Sequence, residues 1–318
     1  MNPHFDPFLA MQQAVDIVLT SQHEHNKVAA CLYKDMHVCA HTNEWPMIIL
    51  ERLGHEVRIG DSSGTIHAEI NCLLRFPIAS QGAAIAITDP CCPNCAKAIT
   101  ECGITQVYID HKGFEKDFAT RRGQEFQDMS LSIMAQAGIE IYKLNRKLRA
   151  IEPIHPPHAT AISPEQNPIE VKKIPMASCT EFKKIIAAVR PKHESWGAAL
   201  ARNRDGDIFS LVASTHLAVG FAEQILQEKT SVASQKYSYL MTPLNRLICG
   251  AIKHGLSILD DYIFLAQLPT PREMVNAVGA GIPSLWIENM DKSSKETSAA
   301  ARDILITHNI LQFRPWNR

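Results

Sequence analysis

The sequence predicts two α/β sandwich domains with mixed, partly parallel sheets, the second repeating the plan of the first. Three observations carry this. Strand-like apolar segments alternate with helix-period segments in both halves. Residues 149–175 hold six prolines and little apolar periodicity, which reads as an extended linker between residues 1–148 and residues 176–318. The stretch TDPCCPNCAKAITECGI at 88–104 has the rhythm of QLPTPREMVNAVGAGI at 267–282.

In the first half, residues 7–20 place Phe8, Met11, Ala14, Val15 and Val18 at helical spacing. Residues 27–33 and 37–41, separated by Lys34-Asp35-Met36, read as a strand hairpin. A helix is expected over 68–75, a short apolar strand over 83–88, and a helix over 92–102 closed by Gly103 as the residue past its end. A strand over 107–109, a helix over 124–137 and a strand over 140–144 follow. The second half repeats the order. Residues 196–201 and 207–212 flank Asn203-Arg204-Asp205-Gly206 as a hairpin, followed by a strand at 262–266, a helix at 271–278 and a strand at 284–287.

Bulk properties narrow the function classes. Of 318 residues, 46% are hydrophobic and 20% charged, enough apolar content for buried cores. No apolar run approaches the ~18 residues of a membrane span, and the start, MNPHFDPFLA, lacks a basic region followed by an apolar one, so no secretory signal is expected. Nine cysteines at irregular spacing argue against a disulfide scaffold and for a reducing, cytoplasmic setting. Residues 1–148 carry 13 Lys/Arg against 17 Asp/Glu, and residues 149–318 carry 19 against 16. Neither has the basic footprint of a nucleic-acid-binding domain, which argues against a polynucleotide substrate.

Setting Gly103 over Gly281 places Pro93 on Pro271, Ile104 on Ile282, and Cys92 and Cys95 on Thr270 and Glu273. Thr270-Pro271-Arg272-Glu273 has the form of a helix capping box, with Thr at the N-cap, Pro first in the helix and Glu three residues past the cap. Cys92 and Cys95 therefore occupy the same cap positions on the matching helix. Their sulfurs face unpaired backbone N–H groups at the positive helix end, which favours the thiolate, the metal-binding form. Two thiolates three residues apart require a further ligand.

His67-Ala68-Glu69, in TIHAEINCLL, with Cys92-Pro93-Asn94-Cys95, resembles the H-x-E and P-C-x-x-C signature of the zinc-dependent cytidine and deoxycytidylate deaminase superfamily. The 25 residues between His67 and Cys92 accommodate one helix and one strand. His67-Ala68-Glu69-Ile70-Asn71 and Cys92-Pro93-Asn94-Cys95-Ala96-Lys97 look most like the deoxycytidylate branch. The motifs lie within residues 8–145, and over 176–318 the likeness is architectural. The resemblance implies α/β/α three-layer sandwiches, with zinc on His67, Cys92 and Cys95, Glu69 as the catalytic proton carrier, and substrate contacts at Ala68 and Asn43. Three protein ligands would leave an open position, as a catalytic zinc requires. The family's Pro before the first Cys is displaced here, since Cys91 stands between Pro90 and Cys92. Cys91 is read as a spare thiol.

Each reading has a plainer alternative. The cluster could be a structural zinc site, which would want a fourth Cys or His and would leave Glu69 idle. His23, His25, His37, His41 and His55 read as surface histidines or as a second metal site. Arg52 and Arg58 read as phosphate ligands or as solvated loop charges. Asn43 reads as a sugar contact or as a turn residue. Cys31, Cys39, Cys72, Cys102, Cys179 and Cys249 read as small core hydrophobes. In the second half, the position of His67 falls either on Thr242, in Thr242-Pro243-Leu244, or on Asn245, and neither offers a His followed by a Glu.

The resemblance implies a hydrolase that deaminates a cytosine-type nucleotide or nucleoside, dCMP-like, to the uracil form. The alternatives are an editing deaminase of the tRNA adenosine type with a fused pseudo-subunit, and a non-catalytic binding protein. A riboflavin-type deaminase-reductase is disfavoured by the cysteine spacing and by the lack of nucleotide-binding glycines in the second half. The expected partners are a small-molecule substrate, the second half as a degenerate, zinc-free intramolecular partner, or a second copy in a homodimer. No membrane is expected.

Overall fold

The computed structural model describes residues 6–116, 124–155, 168–189, 194–221, 238–293 and 295–316. The first half opens with helix α1 (Pro7–Ile17), capped by Asp6, whose carboxylate accepts the Phe8 N–H. The expected helix to Thr20 ends in a 3-10 turn over Val18–Thr20. Strands β1 (Ala29–Lys34) and β2 (His37–Thr42) form the hairpin. An excursion then carries α2 (Met47–Leu53) and the short strands β3 (Arg58–Ile59) and β4 (Ser62–Ser63). The chain continues through α3 (Ala68–Arg75), β5 (Ala84–Ile87), α4 (Pro93–Glu101), β6 (Gln106–Asp110), α5 (Gln124–Gln136), β7 (Glu140–Asn145) and β8 (Ala150–His155).

These strands form one mixed sheet, ordered β2-β1-β5-β6-β7-β8. β1 is antiparallel to β2 and β5, β5, β6 and β7 run parallel, and β8 returns antiparallel on the edge. The central parallel strand β5 reads AIAI and is buried throughout, as a strand covered on both faces must be. Ala10, Met11 and Ala14 of α1 pack on Ala29, Cys31, Tyr33, Ala84, Ala86 and Tyr108. Alternate residues of β1 and β2 turn to the other face, against α3. Gly103 closes α4 with φ +72°, a left-handed conformation that a side chain would strain.

The second half contains β9 (Glu170–Ile174), α6 (Cys179–Ala188), β10 (Trp196–Arg202), β11 (Ile208–Ser214), β12 (His216–Leu217), β13 (Leu240–Met241), α7 (Pro243–His254), β14 (Ser257–Leu268), α8 (Pro271–Gly279), β15 (Ser284–Ser293), α9 (Thr297–Thr307) and β16 (Gln312–Pro315). Its sheet is ordered β16-β15-β14-β10-β11-β9, with β10 antiparallel to both neighbours and β14, β15 and β16 parallel. Phe182 of α6 packs with Trp196, Phe264 and Ala266, as α1 packs on the first sheet.

The repeat holds at the level of register. Ala29 pairs with Thr42 and Trp196 with Ser214; Ala86 with Tyr108 and Phe264 with Trp286; Gln106 with Glu140 and Ser284 with Gln312. Asn71 Nδ2 donates to the Thr42 carbonyl at 3.0 Å, and Arg246 Nη1 donates to the Ser214 carbonyl at 2.8 Å. Each donor lies four residues past its helix cap, His67 or Thr242.

Three expectations are corrected. Residues 149–175 are not a plain linker, because β8 and β9 occupy its ends as edge strands. Their mostly exposed side chains, and Pro153 on an edge, hide them from an apolar pattern. The strands expected at 262–266 and 284–287 extend over Ser257–Leu268 and Ser284–Ser293. The expected break between 1–148 and 176–318 is also too simple. The chain forms two compact units in which Trp45–Ile66 belongs with the second half and Leu217–Met241 with the first.

Candidate metal centre

Cys92 is the N-cap of α4, in extended backbone conformation, and its Sγ accepts the Cys95 N–H at 3.4 Å. Pro93 takes the first helical position, where a missing N–H costs nothing. His67 is the N-cap of α3 but makes no side-chain cap of its own helix. Its ring turns instead to the sulfurs, with Nδ1 at 3.5 Å from Cys92 Sγ and 3.3 Å from Cys95 Sγ.

His67, Cys92 and Cys95 form the one group among the described residues that could hold a metal ion through three His, Cys or acidic ligands, their ligand atoms all within 4.8 Å. Tetrahedral zinc with ordinary Zn–N and Zn–S bonds would set nitrogen and sulfur ~3.5 Å apart. The residues therefore fit such an ion in type and spacing.

The electrostatics agree with the donor set. A hydrogen bond from the Cys95 thiol holds Cys92 well below the ordinary thiol range, opposed by burial and assisted by His67. Burial, and then Cys92, push Cys95 upward. Glu69, two residues past His67, is 3% exposed. Burial raises its carboxyl pKa, with His67 pulling the other way. Ala68 is fully buried at the first position of α3.

Cys91 is buried, directs its sulfur to Met134 Sδ at 4.0 Å, and is not part of the ligand group. Asn43 is 6% exposed, and its amide organises a loop: Oδ1 accepts from Ser21 Oγ at 2.8 Å and Val28 N at 2.9 Å, and Nδ2 donates to Asn26 O at 2.8 Å. Among the described residues no second group of metal-ligating type joins His23, His25, His37, His41 or His55. Arg58 donates to the Asp61 carbonyl, and Arg52 is exposed. Of the six cysteines expected in the core, Cys179 is exposed and Cys39 only half-buried.

Sequence reasoning quoted Asn71 in the motif but gave it no role, and it is fully buried with Oδ1 lacking a hydrogen-bond partner. Sequence reasoning missed Asp89, which accepts from Thr88 Oγ and from Lys116 Nζ, both at 2.7 Å, beneath the turn into α4. The position of Asp89 just before the cysteines was the available signal.

The equivalent place in the second half holds no such ligands. Thr242 is the N-cap of α7, as His67 is of α3, which decides between the two sequence alignments. Thr270 and Glu273 form the expected capping box on α8. Glu273 reaches further, accepting Thr270 N at 2.7 Å, Leu244 N at 3.0 Å and Asn245 N at 3.3 Å.

No family model matches the chain. A curated relative, an uncharacterized deaminase in the luxG 3′ region of Aliivibrio fischeri, is 38% identical over 77 residues, covering 24% of this chain. The alignment spans 50% of that relative's length. Among solved structures, the dCMP deaminase of cyanophage S-TIM5 in complex with dCMP and dUMP is 22% identical, with a TM-score of 0.34 over 44% of this chain and 100% of its own. Its apo form gives 21%, 0.32, 43% and 96%. Over those 77 residues the chain is similar to a deaminase, and it spans about half the length of that relative.

Proposed function

We propose that the first unit catalyses zinc-dependent hydrolytic deamination of a cytosine-type nucleotide or nucleoside, dCMP-like, giving the uracil form and ammonia. The observation that carries this is the imidazole Nδ1 of His67 set between two helix-cap sulfurs, with the buried carboxyl of Glu69 two residues away. His67, Cys92 and Cys95 would hold the ion. Zinc supplies Lewis-acid activation of a water at neutral pH.

Glu69 takes the proton of the attacking water and delivers it to the ring nitrogen beside C4. It then takes the proton of the new hydroxyl at C4 and gives it to the departing amino group as the C–N bond breaks, so that water and cytosine become uracil and ammonia. A carboxyl raised by burial suits both halves of that cycle. The N–H of Ala68, in the first turn of α3, has no carbonyl partner within its own helix and is available to orient the base. Asn43 holds the loop at the end of β2, and its sugar contact belongs to the same reading.

The second half is read as a degenerate repeat that has lost the metal site and serves as a built-in partner. Its Thr242, Thr270 and Glu273, at the positions of His67, Cys92 and Cys95, support this. The editing alternative draws on the same repeat, since a catalytic subunit there pairs with a pseudo-subunit. No helix among the described residues is long and apolar enough to cross a membrane. Free thiols throughout the described residues fit a reducing, cytoplasmic setting.

The test is ammonia release from cytidine, deoxycytidine, CMP, dCMP, dCTP, guanine and a tRNA anticodon stem. Turnover of a cytosine monomer is expected. Activity on the tRNA stem alone would replace the monomer reading with the editing one, and inactivity of zinc-loaded protein on the whole panel would overturn both.

A further inference from the structure

We propose that Cys39 and Cys72 form a peroxide-responsive dithiol that closes to a disulfide between β2 and α3. Nothing in the deamination chemistry uses either residue. Cys39 pairs across the hairpin with Leu32, which turns its side chain toward the face that α3 covers. Cys72 lies on the buried side of α3, its Sγ 3.1 Å from the Ala30 carbonyl. Cys39 Sγ lies 3.7 Å from the Cys72 carbonyl oxygen, which sets the two residues side by side where α3 packs on β2.

Their surroundings give the two sulfurs different jobs. Cys39 is half-buried, whereas Cys72 is fully buried. The Cys72 hydrogen bond, opposed by burial and helped by His41 and by the charge of Arg75, brings Cys39 down to about 5. Cys72 is pushed well up, chiefly by burial and then by Cys39. Cys31, from β1, adds its own repulsion to Cys72 and is itself buried against α1. A half-buried thiolate beside a protonated second thiol is the arrangement of an attacking and a resolving cysteine.

The step balances with a hydroperoxide as oxidant. The Cys39 thiolate attacks the outer oxygen, the O–O bond breaks, and Cys39 becomes a sulfenic acid while the alkoxide or hydroxide takes a proton. The Cys72 sulfur then attacks the Cys39 sulfur, the S–O bond breaks, and water leaves with the Cys72 proton. Two thiols are oxidised and one peroxide is reduced. The new bond would tie β2 to α3, the helix whose first turn carries Glu69, close to the existing Asn71-to-Thr42 hydrogen bond.

The experiment treats the full-length protein, as purified, with one equivalent of hydrogen peroxide. Remaining thiols are blocked, and the digest is read by mass spectrometry. A peptide pair joined through Cys39 and Cys72, two hydrogens lighter than the free pair and restored by dithiothreitol, is expected. In Cys72→Ser the reaction should stop at a Cys39 sulfenic acid, trapped as its dimedone adduct. In untreated native protein, Cys39 should alkylate at least about tenfold faster than the buried Cys72. Full alkylation of both cysteines after peroxide, or a Cys39 sulfenic acid that persists in wild-type protein, would overturn the proposal. These readouts do not depend on deaminase activity.

Discussion

The carboxylate of Glu273 accepts the backbone N–H of Leu244 at 3.0 Å while its other oxygen accepts the N–H of Thr270 at 2.7 Å. One side chain thereby joins the N-termini of α7 and α8. In the first unit the corresponding helix starts, α3 and α4, converge on His67, Cys92 and Cys95. A carboxylate satisfies the helix ends in one unit where a ligand triad faces inward in the other.

Replacing Glu273 with Ala should therefore destabilise the second unit. It strands three backbone donors, of which those of Thr270 and Leu244 are held most closely, at a cost of about 3 kcal/mol. Thr270→Ala, which removes only a cap, should cost about 1 kcal/mol. Urea unfolding checks both, and equal losses would show that Glu273 acts only as a local cap.

Metal content tests the ligand set. About one zinc per chain is expected, lost in Cys95→Ala and His67→Ala and retained in Cys91→Ala, because Cys91 packs on Met134. Retention of zinc in Cys95→Ala would refute the assignment.

Glu69→Gln should keep the zinc and lose at least ~100-fold in turnover, since an amide cannot carry the proton. Measuring kcat and metal content on the same preparation separates the proton role from folding. Near wild-type kcat would remove Glu69 from the chemistry.

A fragment of residues 1–150 should be prone to association and poorly active. It lacks Leu217–Met241, which belongs to the first unit. That segment supplies the carbonyls of Ser238 and Leu240 to the buried Lys97 ammonium at 2.8 Å and 2.7 Å. It also sets Gly220 (φ +88°) against the Gln136 carbonyl at the end of α5, where a Cβ would not fit. Light scattering and ammonia release on the fragment check this. A soluble, monomeric, fully active fragment would show that the second half is dispensable.

The sequence alone determined what forms within a helical turn or a strand. Cys92 and Thr270 act as helix caps, Gly103 ends α4, and the AIAI strand is buried, because capping, backbone conformation and apolar patterning act over a few residues. The motif also singled out His67, Glu69, Cys92 and Cys95. Tertiary structure alone decided what chain-distant groups do together. It set the His67 ring between sulfurs 25 and 28 residues away, and it turned Asn43 into a loop fastener. It paired the ends of the proline-rich stretch as edge strands, gave Trp45–Ile66 and Leu217–Met241 to opposite units, and carried Glu273 to α7. These outcomes depend on sheet pairing and burial between segments far apart in the chain, and no local period or composition records which segments will meet.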